Sequence, residues 1–182
     1  MARSRYTNTA VALHWLIALL ILVAFALGWY MTDLKISPDK LRYYSWHKWL
    51  GITVLGFALF RLLWRLTHKP PPLPNSTPRW QVLAASAGHW ALYALLFLIP
   101  LSGWAYSSAS GYPVVYLGEF PLPDWVPKDK ALAALMKERH EQLTTLLMFV
   151  VAGHVLAALK HHFIDHDGLL HRMWFGHRRS AT

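Results

Sequence analysis

Five histidines stand in stretches that are otherwise oily: His14, His47, His89, His140 and His154. Imidazole is a metal ligand and a proton carrier, and it is seldom left facing lipid. His140 and His154 are 14 residues apart. In an α-helix that is nearly four whole turns, so both rings share one face, separated by about 21 Å along the axis. One helix therefore presents two imidazoles on one stripe at two depths.

The helices that must carry them follow from length and composition. The chain has 182 residues, a hydrophobic share of 55% and a net charge of +9. That charge could suit a nucleic-acid binder. The long uncharged runs make it instead the flank of membrane segments, so no nucleic-acid partner is expected. With no cysteine, disulfides, Cys-ligated zinc, iron–sulfur clusters and covalently attached c-type haem are excluded. Runs of roughly 20 apolar residues can span a bilayer. They predict helices over about 8–31, 45–66, 80–106 and 139–162, all in a single membrane domain covering 1–182. The first run is longer than a signal-peptide core and is expected to stay in the protein. Pro100 falls inside the third segment. The stretch "PKDKALAALMKERH" has helical spacing and predicts a short outer-surface helix over about 128–138. Trp29, Trp46, Trp49, Trp80, Trp104 and Trp125 are expected as interfacial aromatics.

Arg3 and Arg5 precede the first segment. Arg61, Arg65, Lys69 and Arg79 surround the "HKPPPLPNSTP" connection, and Lys160, Arg172, Arg178 and Arg179 follow the last segment. The other two connections are nearly balanced in charge. Both termini are therefore expected in the cytoplasm of a multi-pass inner-membrane protein.

Depth then pairs the histidines. His47 and His140 fall near the outer surface, His14 and His154 toward the inner one. Two neutral imidazoles from facing helices fill both axial positions of a low-spin b-type haem iron and leave no site for oxygen, so the chemistry is electron transfer. Two stacked b haems would need this arrangement. Gly51, Val54 and Ala58 along the His47 face, and Gly153 and Ala157 beside His154, are small enough to admit a flat macrocycle. Arg61, Lys48 and Arg139 are candidate partners for haem propionates. His89 has no partner expected at equal depth and is read as a contact to propionate or to a haem ligand, with a ligand role of its own left open. Histidines that only pack, a proton relay, and a zinc or copper site fit less well, because Asp and Glu are missing from the spans and paired histidines without carboxylate or sulfur partners make a poor site for those metals.

"ALHWL", "WHKWLGI", "RLLWR", "AGHWALYALLFLIPLSGW" and "GHVLAALKHHFIDHDGLLHRM" resemble the bacterial cytochrome b561 family over almost the whole chain. The resemblance implies an all-α, four-helix membrane bundle with two b haems ligated by His14, His47, His140 and His154. It also implies a superoxide:ubiquinone oxidoreductase activity, with superoxide oxidised at the outer haem and quinone reduced at the inner end. His161, seven residues past His154 and on the same face, would contact the quinone. Lys40, Arg42, Lys48 and Arg139, with Lys128 and Lys130 nearby, would form a basic collar able to attract a small anion. The alternative is an electron-carrier subunit exchanging electrons between quinone and a periplasmic redox protein. Membrane lipid is the common surrounding in both cases.

The charge asymmetry makes a direct prediction. Alkaline phosphatase fused after Thr182 is expected to be inactive, and the same reporter placed between Pro113 and Pro127 active; the reverse pattern would invert the orientation.

Overall fold

The structure, a computed structural model, describes residues 5–74 and 77–175. Arg3, His177, Arg178, Arg179 and the middle of the proline-rich connection lie outside the described residues. Among the described residues there are four long helices: α1 (Asn8–Asp33), α2 (Pro38–Thr67), α3 (Arg79–Ala109) and α4 (Lys130–Phe163). All four are long and apolar enough to cross a membrane. The protein is an all-α membrane protein, and its surface shows why. Large apolar side chains such as Leu22, Phe149 and Leu156 face outward, which lipid permits and water would not.

Local chemistry starts the helices. The Thr7 hydroxyl accepts from the Ala10 amide, the Ser37 hydroxyl from Lys40, and the Asp129 carboxylate from Leu132. Each satisfies an amide that the first helical turn leaves without a partner. Pro38 at the first position of α2 is preorganised for helix. The cap explains why α2 starts at Pro38 rather than near residue 45. Its first two turns are polar and extend past the apolar run. Likewise, no separate outer helix forms over 128–138. With Asp129 as the cap and no proline before Phe163, the stretch becomes the first turns of α4. At 34 residues α4 is about 51 Å long, against a hydrocarbon core of about 30 Å, so its polar first turns project beyond the membrane.

Helix α3 packs chiefly on α4 and α1 on α2, with α2 also meeting α3. The tight core is small: Ile17, Val54, Ala58 and Leu96, with Phe57 and Phe97 against it. It lies between the two histidine levels and fastens the bundle at mid-height. Pro100 inside α3 removes one helical amide donor.

Two short elements close the ends. A hairpin of β1 (Val115–Tyr116) and β2 (Phe120–Pro121) turns through Leu117 and Gly118, both with positive φ. It is fastened to α2 by the Trp49 indole, which donates to the Val115 carbonyl at 2.6 Å, and by Thr53 against the Tyr116 hydroxyl at 3.0 Å. At the other end a 3-10 turn, Leu170–Met173, folds back on α1. Arg5 donates to the His171 carbonyl and Trp15 to the Met173 carbonyl.

Candidate functional site

Two groups of imidazoles lie at opposite ends of the bundle. They are named outer and inner after the orientation expected from the charges. At the outer end, His47 on α2 and His140 on α4 have ring centres 6.2 Å apart. At the inner end, His14 on α1 and His154 on α4 are 6.1 Å apart. Two metal–imidazole bonds of about 2 Å each, with each ring centre about 1.1 Å behind its nitrogen, put ring centres about 6.3 Å apart. Both pairs meet that spacing without rearrangement.

His89 corrects the sequence expectation. It has a neighbour at its own depth: its ring centre is 5.8 Å from that of His154. Three imidazoles therefore converge at the inner end. The cause is the antiparallel packing of α3 on α4. Gly103 lies against His140 and His89 against His154, and 14 residues separate each pair of positions on its own helix. Matching that interval on α3 and α4 was the signal that could have found His89.

The outer pair is braced by its neighbours. His140 Nδ1 lies 3.0 Å from the Ile99 carbonyl and 3.1 Å from the Ser102 hydroxyl. A carbonyl only accepts, so Nδ1 carries the proton and Nε2 is left with a free lone pair. A Cβ added at Gly103 would lie 3.0 Å from His140 Cε1, and one at Gly28 would lie 3.3 Å from His47 Cε1. Glycine at both places lets α3 and α1 approach the rings. His47 Nδ1 is buried without an ordinary hydrogen bond, with the Ala24 carbonyl as its neighbouring acceptor.

A cavity of about 940 Å³ opens between the four helices at this level, lined by both outer histidines and by Gly28, Gly51 and Gly103. That is the upper end of the range for cofactor pockets, about 300–1,000 Å³. Its walls are apolar, and its mouth carries Lys40, Tyr44, Lys48, Lys137 and Glu141. A planar group with an apolar body and anionic edges fits such a space.

The mouth revises the expected collar. Lys48 donates to the Ser107 hydroxyl and to the Tyr112 and Pro113 carbonyls, so it ties the outer loop to α2. Lys40 donates to the Thr32 and Leu34 carbonyls at the end of α1. Arg139, expected at the propionates, instead faces outward and donates to Gln142. Lys137, three residues before His140 on the same helical face, lines the cavity in its place. Arg42 pairs with Asp39 on the surface, and the Lys128 side chain lies over Gly111. Trp104, expected at the interface, lines the cavity and meets Trp125 edge-on.

At the inner end Arg61 reaches from α2 to donate to the Ala10 carbonyl at 2.6 Å, one turn before His14. That bond uses Nη1, and the guanidinium also makes a side-chain hydrogen bond with Tyr93. Beyond His154, the His161 ring lies at the end of α4 against Asp165 and Asp167. Hydrogen bonds from Lys160 hold the Asp165 carboxyl below the usual carboxylate range, with the Lys160 and His161 charges acting in the same sense.

Paired imidazoles in a membrane bundle with a large apolar cavity define a class of protein, the b-type membrane cytochromes. The comparisons narrow it. The model of the prokaryotic cytochrome b561 family matches residues 5–176, and the chain belongs to that family. Its function is transmembrane electron transfer, and its cofactor is b-type haem. It is 38% identical to cytochrome b561 homolog 2 of Escherichia coli K12 over 177 residues, 93% of this chain and 90% of that one. It is 32% identical to homolog 1 of the same organism, over 93% of this chain and 97% of the relative. A Yersinia pestis protein named probable superoxide oxidase CybB is 30% identical over 93% of this chain and 95% of its own length.

The glycine contacts make a testable prediction. Gly103→Val pushes on His140 and is expected to lower the haem bound per chain while helical content is kept. Gly56→Val is expected to leave haem binding at the parent level, since an added Cβ there meets nothing within 4 Å. Equal haem contents, measured by pyridine haemochrome, would refute the tight approach of α3.

Proposed function

We propose that the chain holds two b haems and moves electrons across the membrane from superoxide on the outer side to ubiquinone on the inner side. The observation that carries this reading is the pair of imidazole stations at the two ends of α4, each at the spacing of a bis-imidazole iron site. His47 and His140 hold the outer group, and His14 and His154 the inner one. His89 packs edge-on against His154 from α3. Haem held by these histidines would supply reversible one-electron transfer.

The remaining residues set direction and access. Lys48 and Lys137 place positive charge at the outer mouth, Lys137 with Glu141 as its ion-pair partner at 3.8 Å. Charge there draws an anion toward the cavity and balances carboxylates at its edge. Arg61 does the second task at the inner end. His161 lies two turns past His154 on α4, about 10 Å further along, where an imidazole can hydrogen-bond a quinone carbonyl. The stoichiometry closes: two superoxide ions become two O2 and release two electrons, and one ubiquinone takes those electrons with two protons to become ubiquinol. The resemblance to the protein named probable superoxide oxidase supports this choice of donor. With both termini in the cytoplasm, the acidic turn around His161 faces the cytoplasm and the lysine-lined mouth faces the periplasm.

Stopped-flow mixing with superoxide tests the reading. The parent protein is expected to be reduced faster than superoxide dismutates in buffer, and to be reoxidised on addition of ubiquinone. Lys137→Gln is expected to slow reduction severalfold and to flatten its dependence on salt, because attraction between charges is screened. Reduction by a neutral quinol is expected to be unaffected. If superoxide does not outpace dismutation, the donor is a periplasmic redox protein and the chain is a carrier subunit.

A further inference from the structure

Helix α4 ends at Phe163, and the chain after it doubles back. The Asp165 amide donates to the Lys160 carbonyl and the Asp167 amide to the His161 carbonyl. The reversal uses positive φ at His166 (49°) and Gly168 (71°). Glycine adopts that conformation freely, whereas histidine in the left-handed region costs about 1 kcal/mol. The turn accepts this cost and places two carboxylates against one imidazole.

The contacts are close. His161 Nδ1 is 2.6 Å from Asp167 Oδ2 and 3.0 Å from Asp165 Oδ2. Asp167 is itself oriented, because its Oδ1 accepts from the Leu169 amide at 3.0 Å. Asp165 accepts from Lys160 Nζ through both oxygens, at 2.8 and 2.6 Å. The side chains of His161 and Asp167 are 20% and 19% exposed, enough to exchange protons with water yet sheltered enough to keep the geometry. A ring nitrogen facing carboxylates must be the donor, so Nδ1 keeps its hydrogen and Nε2 is the working atom.

The charged and titratable neighbours are Lys160 and His162 on α4, Asp165, His166 and Asp167 in the turn, and His171 and Arg172 in the 3-10 segment. His162 meets His171 at a tilt, and Arg172 donates to the Pro72 carbonyl. Asp165 and Asp167 are the groups that contact the His161 ring. The carboxylates orient the imidazole through Nδ1, as the orienting acid does beside a general acid–base histidine.

We propose that Asp167, supported by Asp165 and Lys160, is a positioning residue that holds His161 as the proton donor to ubiquinone. The proposal rests on the quinone reading given above. A quinone carbonyl accepts a hydrogen bond from His161 Nε2. As quinone takes up two electrons, one at a time from two superoxide ions oxidised outside, the Nε2 proton passes to its oxygen. The Nδ1 hydrogen stays on the ring against Asp167. Water on the inner side returns a proton to Nε2, and the second proton of ubiquinol comes from the same aqueous side. The balance is ubiquinone plus two electrons plus two protons giving ubiquinol.

Pre-reduced protein mixed with a short-chain ubiquinone, followed through the haem absorbance over a range of quinone concentrations, separates the roles. Asp167→Asn keeps a side chain able to accept from Nδ1 and removes the charge. Its maximal reoxidation rate is expected to fall about tenfold, within the range removed with an acid–base group, with the half-saturating quinone concentration within twofold of the parent. Asp167→Glu is expected to recover most of the rate. His161→Ala is expected to be slower still, and His161→Ala with Asp167→Asn no slower than His161→Ala alone, because the two act as one unit. Haem content and low-spin spectra are expected to be unchanged in all four variants. If His161→Ala reoxidises like the parent, the quinone lies elsewhere and both readings fall. If His161→Ala is slow while Asp167→Asn keeps the parent's maximal rate, the quinone reading stands and the role of Asp167 is overturned. A change in half-saturation alone would also overturn it.

Discussion

The antiparallel contact between α3 and α4 sets the register on which the bundle depends. Gly103 lies against His140 and His89 against His154, and the interval between the two levels is the same on each helix. A shift of either helix by one residue would rotate both levels off the shared face by about 100°. Imidazole nitrogens in a membrane interior need a partner. Here imidazoles face one another at two depths at once, His47 on α2 toward His140 outside and His14 on α1 toward His154 inside. The apolar clasp of Ile17, Val54, Ala58 and Leu96 holds the helices between those depths. Burial of apolar surface adds little in lipid, where close packing and polar partners must supply the specificity. Small residues at the rings and hydrogen bonds at the ends fit that requirement.

The two ends are built differently. Outside, Lys48 joins α2 to the loop after α3, and the Trp49 indole joins α2 to the hairpin. These bonds frame a mouth with fixed cations and a large cavity. Inside, bonds from Arg5, Trp15 and Arg172 tie the segment after α4 back onto the start of α1 and the proline-rich connection. That tie steadies the reversal that brings Asp165 and Asp167 to His161. The outer end is fastened by bonds between fixed elements, whereas at the inner end titratable side chains gather around His161.

Much of this was legible in the chain before any coordinates. Uninterrupted apolar runs identify the spans, and helical periodicity puts His140 and His154 on one stripe. What escaped sequence reading has physical causes. The start of α2 at Pro38 depends on the Ser37 cap, which outweighs the polar composition of the first turns. The stretch 128–138 has the pattern of a surface helix and joins α4 because nothing interrupts it. His89 went unpaired because depth was judged helix by helix, without the register between α3 and α4. Arg139 and Lys137 are both near His140 in sequence, and the three-residue helical interval decides for Lys137. The contact of His161 with Asp165 and Asp167 depends on a left-handed turn at His166, a conformation that the residue type does not announce.

The central claim is that His47 with His140, and His14 with His154, each hold one haem. The direct measurement is haem stoichiometry combined with low-temperature electron paramagnetic resonance on the oxidised parent and on His140→Ala and His154→Ala. The account predicts two non-covalent haems per chain, with two low-spin bis-imidazole signals. It also predicts that His140→Ala loses one signal and His154→Ala the other. One haem per chain in the parent would contradict it, as would loss of the same signal in both variants.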